Sequence, residues 1–139
     1  IRLSDEARQL VALFEEETDA VVRDCLVDDE YDRVIFLVKA GQMGQAIGRD
    51  GEHVNRVEEK IGSEVKLVED AERPEDFVAN ALAPAAVTNV TVSEIDDRLA
   101  YVEVPRPDRG AAIGTDGRNI EAARTLAKRH HDIDGIELT

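Results

Sequence analysis

The chain has 139 residues, a length that suits one typical domain or two small domains sharing an interface. It has one cysteine, which excludes disulfide frameworks and Cys/His zinc sites. No apolar run reaches transmembrane length and the first residues lack a signal-peptide core, so we expect a cytoplasmic protein without membrane contact, metal or cofactor. The net charge is −14, with 31 acidic and 17 basic residues, and arginine is preferred over lysine. This composition is typical of proteins from salt-accumulating halophiles. At molar salt, the repulsion between an acidic surface and an anionic partner is screened.

The first half of the chain predicts a helix, a strand hairpin, two further helices and a last strand. Ser4 is placed as the N-cap of a helix whose apolar residues recur at helical spacing. The β-branched runs at 20–29 and 33–39 predict a hairpin, and the second run is apolar enough to be buried on both faces. The remaining elements are a short helix at 43–47, a helix carrying Val54, Val57 and Ile61, and a strand at 64–69.

The second half repeats this order after a charged linker at 69–74. Pro74 is placed to open a helix. The runs at 87–95 and 98–104 predict a second hairpin, and the run at 133–138 predicts the last strand.

A constant spacing connects the two halves. The hexamer AIGRDG at 46–51 returns as AIGTDG at 112–117, and the distance from position 46 to position 112 defines the repeat offset. The apolar stripe Ile120, Ala123 and Ala127 follows the first stripe at the same repeat offset. A shared offset in loop and core indicates duplication. Because the linker at 69–73 is short and lacks Gly and Ser, and each unit has only about 65 residues, we expect the two units to pack as one rigid body.

Each hexamer contains two glycines at GxxG spacing, Gly48 and Gly51 in the first copy and Gly114 and Gly117 in the second. Glycine permits a tight turn and lets another backbone come close, because no Cβ blocks the approach. The N–H groups at the start of the following helix can hold a phosphate. The repeated loop therefore suits the backbone of a nucleic acid.

The segments 47–54 and 113–120 resemble the Ile-Gly-x-x-Gly-x-x-Ile signature of the KH domain, whose GxxG loop clamps the backbone of four nucleotides. The order of elements is similar to the type II arrangement of KH domains. The resemblance implies an α+β fold of two tandem type II KH domains, α-β-β-α-α-β each, at 1–70 and 74–139. Two such units filling a short chain resemble the archaeal NusA-like transcription termination and antitermination factors.

This resemblance implies that single-stranded RNA is the partner and that it lies along both loops and in the groove between each loop and the neighbouring strand. The implied RNA-binding residues are Ile47, Gly48, Arg49, Asp50, Gly51 and Val54 in the first unit, and Ile113, Gly114, Thr115, Asp116, Gly117, Arg118 and Ile120 in the second. The resemblance also implies an apolar groove floor under the bases, at Ile47, Val54 and Val65–Leu67 in the first unit and at Ile113, Ile120 and Ile136 in the second.

The local distribution of charge favours RNA binding at the second loop in particular. The window 39–66 holds five basic and five acidic residues, whereas 105–131 holds six basic and three acidic residues. Because Thr115 offers only a hydroxyl, we expect Arg118 to supply the cationic contact, with Arg109 as a helper.

RNA polymerase and other transcription proteins are further partners that the family suggests, and no residue of this sequence identifies them. The larger bacterial relatives carry an N-terminal polymerase-binding domain and an S1 domain. We expect neither in this chain, so polymerase contact is not carried over from the resemblance.

Four alternatives compete with this interpretation. An enzyme is disfavoured, because the loops lack the Lys-Ser/Thr of a nucleotide P-loop, and because adjacent His130 and His131 are expected to diverge rather than form a catalytic set. Each GxxG could be a simple helix corner with Asp50 or Asp116 as N-cap. A KH-fold protein-interaction scaffold that has lost RNA binding is favoured by aspartate in the third position of both loops. A ribosome-associated KH factor would differ only in the RNA bound.

Overall fold

The structure, a computed structural model, describes residues 2–139 and divides into two compact units, one ending at Asp70 and one beginning at Ala71. Within these described residues each unit contains three α-helices and a three-stranded sheet, which confirms the predicted α+β fold. The elements of the first unit are α1 Asp5–Thr18, β1 Val22–Asp28, β2 Arg33–Val38, α2 Met43–Ile47, α3 Glu52–Ile61 and β3 Glu64–Glu69. Those of the second unit are α4 Pro74–Ala81, β4 Asn89–Ser93, β5 Leu99–Glu103, α5 Arg109–Ile113, α6 Arg118–His131 and β6 Gly135–Leu138.

The two sheets have the same topology. In the first unit the middle strand β2 is antiparallel to β1 and parallel to β3; in the second, β5 is antiparallel to β4 and parallel to β6. A parallel pair needs a crossover connection, and here the crossover consists of the short helix, the GxxG loop and the long helix. Each loop is therefore placed beside an edge strand of its own sheet.

The middle strand of the first unit forms the centre of its core. All six residues of β2 are buried, as the unbroken apolar run predicts. Phe36 stacks on Phe14 of α1, with ring centroids 4.4 Å apart. Val57 of α3 and Ala46 of α2 are fully buried in the same cluster, so the core fixes both helices that flank the loop.

The second core is built around Phe77 of α4, which is fully buried. The prediction that His130 and His131 diverge is wrong, since both rings contact Phe77, at centroid distances of 5.7 and 4.7 Å. The Nε2 atom of His131 also lies 2.9 Å from the carbonyl oxygen of Ala71. These histidines pack the start of the unit against the end of α6.

The repeat offset changes after the long helix. α3 has 10 residues and ends at a left-handed Gly62, whereas α6 has 14 residues. Val34 pairs with Val65 in the first sheet, and Ala100, which follows Val34 at the repeat offset, pairs with Ile136 in the second. Val65 and Ile136 are therefore equivalent although their separation exceeds the repeat offset, because α6 is longer.

Among the helices of residues 2–139, none combines the length and the apolar character that a membrane span requires. The rigid association of the two units stays a prediction.

Lys66 of β3 is half-buried, and its surroundings disfavour the charged form. Burial, together with repulsion from the Arg33 guanidinium, lowers the pKa of Lys66 from 10.5 to about 8, against the opposing attraction of Glu64. Because the unfolded chain keeps its proton up to a higher pH, it binds more protons than the folded chain between these two values.

We expect the unfolding free energy to rise as the pH increases from about 8 towards 10.5, and expect Lys66→Met to remove this rise. Urea unfolding in molar KCl at several pH values measures the unfolding free energy. Lys39→Met is the control: Lys39 is exposed, so this variant should keep the rise with pH. An identical pH profile for the parent and Lys66→Met would contradict the assignment.

Candidate nucleic-acid interface

The first GxxG loop begins at a glycine that no other residue can replace without strain. Gly48 ends α2 with φ 77° and ψ 172°, a backbone region that is essentially restricted to glycine. A Cβ at this position would lie 2.7 Å from Cγ and 2.9 Å from the backbone nitrogen of His53. The missing side chain thus lets α2 and α3 meet at a sharp corner. Gly51 follows with φ 77° and ψ 14°, the left-handed conformation from which α3 starts.

The second loop has the same geometry. Gly114 has φ 78° and ψ 169°, and a Cβ there would lie 2.7 Å from Cβ and 2.8 Å from the backbone nitrogen of Asn119. Gly117 has φ 81° and ψ 8°. The duplication seen in the sequence therefore extends to backbone angles that agree within a few degrees.

The aspartate in the third loop position has a backbone role. Asp50 has φ 56° and ψ 26°, and Asp116 has φ 55° and ψ 23°. Aspartate and asparagine are among the few residues besides glycine that adopt this left-handed conformation readily. The alternative interpretation, a helix corner in which Asp50 and Asp116 are the N-caps, is wrong in its capping assignment. Gly51 and Gly117 occupy the N-cap positions of α3 and α6.

A glycine N-cap has no side chain to bond the first backbone N–H groups of the helix that follows. Gly51 and Gly117 accordingly make no side-chain cap hydrogen bond. The N–H groups of Glu52 and Arg118, the first residues of α3 and α6, donate to the carbonyls of Arg49 and Thr115 in the loops. The positive end of the helix dipole at each helix start suits a phosphate oxygen. Both loops thus offer the feature that a nucleic-acid backbone requires.

One side chain in each unit ties the long helix to the short one. In the first unit, Nδ1 of His53 lies 2.8 Å from the carbonyl oxygen of Gln45. In the second unit, Nδ2 of Asn119 donates to the carbonyls of Ala111 and Ala112 at 3.2 and 3.1 Å. His53 and Asn119 are separated by the repeat offset, so the tie is duplicated with a different side chain. Sequence reasoning missed this role, although the shared offset was its signal.

A groove lies beside the second loop. It has a volume of about 430 Å³ and is open to solvent along α6 and β6. Four of its lining residues were predicted as RNA contacts and four were not. The predicted ones are Arg109, Ile113, Gly117 and Ile120, and the others are Glu121, Arg124, Glu137 and Leu138. Arg124 and Glu121 lie one helical turn beyond Ile120 and Gly117, a spacing that could have identified them.

Apolar residues are exposed where the loops begin. Ile47 and Ile113 occupy equivalent positions, and their exposed fractions are 38% and 39%. Val54 is half-buried and Ile120 is 6% exposed, so both also serve the core. The expectation that the Ile136 side chain forms the groove floor is wrong: it is fully buried, because the register of β6 turns it into the core.

Two arginines, Arg109 and Arg124, line the second groove, and Arg118 lies at the adjoining loop; each donates to a main-chain oxygen. Nε of Arg118 donates to the carbonyl of Thr115 in the loop, at 3.2 Å. Nη1 of Arg109 donates to the oxygen of Thr139, and Nη2 of Arg124 donates to that of Ile136, both at 3.0 Å. The carboxylates of Glu121 and Glu137 line the same groove, so cationic and anionic side chains are interspersed along it.

The first loop is less positive. Arg56 and Lys60 on α3 both pair with Glu17 of α1, and Arg56 also pairs with Glu52. The hydrogen bond from Lys60, together with the nearby cations, holds the pKa of Glu17 below its usual range. Arg49 lies at the loop itself, with its side chain accessible to solvent.

Comparison with known families is consistent with this geometry. Residues 74–139 match the family described as the NusA-like second KH domain, and residues 10–78 match the KH domain family. Each match includes one GxxG loop.

Whole-chain relatives and a solved structure extend the comparison. The probable transcription termination protein NusA of Halobacterium salinarum is 62% identical, over 100% of this chain and 99% of its own length. The protein of the same description from Halococcus morrhuae is 57% identical, over 99% of this chain and 98% of its own length. The crystal structure of APE1850 superposes with a TM-score of 0.84 at 28% identity, covering 99% of this chain and 100% of that one.

We expect Gly114→Ala to lower the unfolding free energy by about 3 kcal/mol, because it combines a disallowed backbone conformation with a steric clash. Gly110→Ala in the same short helix is the control. Gly110 is helical, and a Cβ added there would meet no neighbouring atom within 4 Å. The unfolding free energy of Gly110→Ala should therefore rise by at most about 1 kcal/mol. Urea unfolding in molar KCl measures both. Equal stability of the two variants would show that the corner does not depend on the glycine.

Proposed function

Because this chain belongs to the NusA-like family of proteins with two KH domains, we propose that it binds single-stranded RNA through both GxxG loops and acts as a NusA-like factor in transcription elongation and termination. RNA would run with its phosphates against the loop and the start of the long helix. Its bases would enter the groove between that helix and the edge strand.

The observation that carries this proposal is the repeated loop geometry. Two segments related by the repeat offset share the same unusual backbone angles, a helix start without a side-chain cap and an exposed isoleucine at the entrance. A corner that only connected two helices would not need an exposed apolar side chain at an equivalent place in both units. Such side chains suit the faces of nucleotide bases.

The scaffold alternative loses its main support. It depended on the aspartates of both loops, whose charge opposes a phosphate. The left-handed conformation of Asp50 and Asp116 gives aspartate a conformational reason to occupy this position. The neighbouring Arg49 and Arg118 provide the charge that each loop needs.

The role in transcription is proposed from the relatives, which are described as probable transcription termination proteins. A factor of this kind acts on nascent RNA in the cytoplasm. RNA polymerase and other transcription proteins are the further partners we propose, while a ribosomal RNA target remains the alternative for the same binding surface.

We expect Arg118→Glu to weaken RNA binding about tenfold, since one charge-assisted hydrogen bond contributes about 1.5 kcal/mol. Arg49→Asp should have a similar effect through the first loop. The slope of log affinity against log salt should fall by about 0.7 for each phosphate that is no longer bound. Fluorescence anisotropy with a labelled pool of short single-stranded RNAs, at several KCl concentrations, measures affinity and slope.

Arg8→Glu on α1 is the matched control, because it makes the same change in net charge at an exposed site and should leave the slope unchanged. Parent-like binding by both loop variants at the lowest salt that maintains the fold would favour the scaffold.

A further inference from the structure

Two exposed side chains of the second unit lie outside the surface proposed for RNA. Within residues 2–139, the large apolar or aromatic side chains that are exposed are Val21, Ile47, Ile95, Tyr101 and Ile113. Ile47 and Ile113 belong to the GxxG loops, and Val21 precedes β1. Ile95 and Tyr101 remain, and both belong to the β4–β5 hairpin, with exposed fractions of 88% and 39%. Exposed apolar groups that gather on one element indicate an interaction site more strongly than single scattered ones.

Tyr101 lies at the centre of the outward face of the second sheet. Successive side chains of a strand point to opposite faces. Ala100 and Val102, its neighbours along β5, are fully buried in the core, so the Tyr101 ring points away from the core. Its register partners on the adjacent strands are Thr91 of β4 and Glu137 of β6, and both are exposed. The ring is therefore accessible in the middle of an open sheet face.

The equivalent face of the first sheet differs. Ile35 precedes Tyr101 by the repeat offset and is 1% exposed, and Leu37 precedes Glu103 by the same offset and is fully buried. Glu103 itself is exposed. The second unit thus carries an aromatic ring and a carboxylate where the first carries two buried aliphatic side chains, and this face of the second sheet is open to a partner.

Two carboxylates lie beside the Tyr101 ring. Glu103 follows two residues later on the same face, and Glu137 is the register partner on β6. In the part of the chain that the structure describes, neither carboxylate makes an ion pair or a side-chain hydrogen bond. Their negative charge is therefore available to a cation from outside.

The hairpin turn extends this surface. Ile95 is followed by Asp96 and Asp97, which are exposed and make no ion pair with any of residues 2–139. Arg98, the basic residue of this hairpin, pairs with Glu94. Exposed apolar groups with a charged rim are typical of protein–protein interfaces, and here the rim is acidic. We call Ile95, Asp96, Asp97, Tyr101, Glu103 and Glu137 the hairpin surface.

The other tyrosine of the chain indicates which group suits such a ring. The guanidinium carbon of Arg33 lies 5.8 Å from the ring centroid of Tyr31, and Arg33 also pairs with Asp28 at 3.1 Å. A guanidinium gains from both contacts, because it stacks on an aromatic face and forms charge-assisted hydrogen bonds to a carboxylate. Tyr101 offers the same pair of contacts, and no cation among residues 2–139 occupies them.

We propose that the hairpin surface docks a basic segment of a partner protein, which places an arginine on Tyr101 between Glu103 and Glu137 and an apolar side chain against Ile95. The unpaired carboxylates repel phosphates and complement a cationic polypeptide, so they favour protein over RNA at this face. Salt screens charge but not the burial of Ile95 and of the tyrosine ring, so these two contacts maintain affinity in molar KCl. The proposal does not rest on RNA binding.

The test uses a fluorescein-labelled peptide of three Arg-Leu-Ser repeats, titrated with the full chain in molar KCl and followed by anisotropy. A second peptide has citrulline in place of each arginine, which keeps the shape of the side chain and removes its charge. We expect the arginine peptide to bind about tenfold more tightly. Tyr101→Thr and Ile95→Ser should each weaken its binding about tenfold, through the loss of one anchor.

Matched variants separate contact from fold and from net charge. Tyr101→Phe keeps the ring and should keep the affinity, and Val21→Ser removes an exposed apolar side chain elsewhere and should do the same. Glu103→Gln should weaken binding of the arginine peptide and leave the citrulline peptide unaffected. Glu30→Gln, at an exposed site in the turn of the first hairpin, makes the same change in net charge and should leave both affinities unchanged.

Three results would overturn the inference: no binding of the arginine peptide, equal binding of the two peptides, or parent-like binding by both Tyr101→Thr and Ile95→Ser. A Tyr101→Thr chain that loses affinity for single-stranded RNA but keeps the peptide would also overturn it, because the face would then belong to RNA. Failure of the proposed function is distinguishable, since a chain that binds the peptide but no RNA loses only the RNA proposal.

Discussion

The missing Cβ at Gly48 and Gly114 is the constraint on which both units depend. The corner brings the backbone of the long helix within contact distance of the end of the short helix, where any side chain would clash. Because the corner is this tight, the long helix starts next to the loop without a capping side chain. The same corner allows His53 and Asn119 to bind the short helix and fix its angle.

Charge is distributed around this geometry unevenly. The chain as a whole is strongly acidic, and its relatives from Halobacterium and Halococcus agree with the halophilic interpretation of that composition. In the second groove Arg109 and Arg124 donate to main-chain oxygens and lie among Glu121 and Glu137, whereas in the first unit Glu17 pairs with two cations. In molar salt the Debye length is about 3 Å, so repulsion from distant acidic residues is largely screened. A direct contact between charged groups is screened much less. Local arrangement therefore matters more than net charge.

The sequence predicted what depends on periodicity and repetition. The buried strand β2, the short helix at Met43–Ile47 and the glycine corners follow from apolar spacing and from a shared offset. It did not predict that Glu58 of α3 accepts from the N–H of Val65, or that Arg124 donates to the carbonyl of Ile136, because these bonds depend on the register of an edge strand that follows helices of unequal length. The same uncertainty in register placed the Ile136 side chain wrongly in the groove.

The most direct measurement of RNA binding at both loops is a titration of the isotope-labelled protein with a short single-stranded RNA in KCl, followed by NMR. We expect the amide signals of Gly48–Gly51 and Gly114–Gly117 to shift together with the methyl signals of Ile47 and Ile113 as the complex forms. Binding that leaves both sets of loop amides unshifted, while signals elsewhere in the chain move, would contradict RNA binding at the loops.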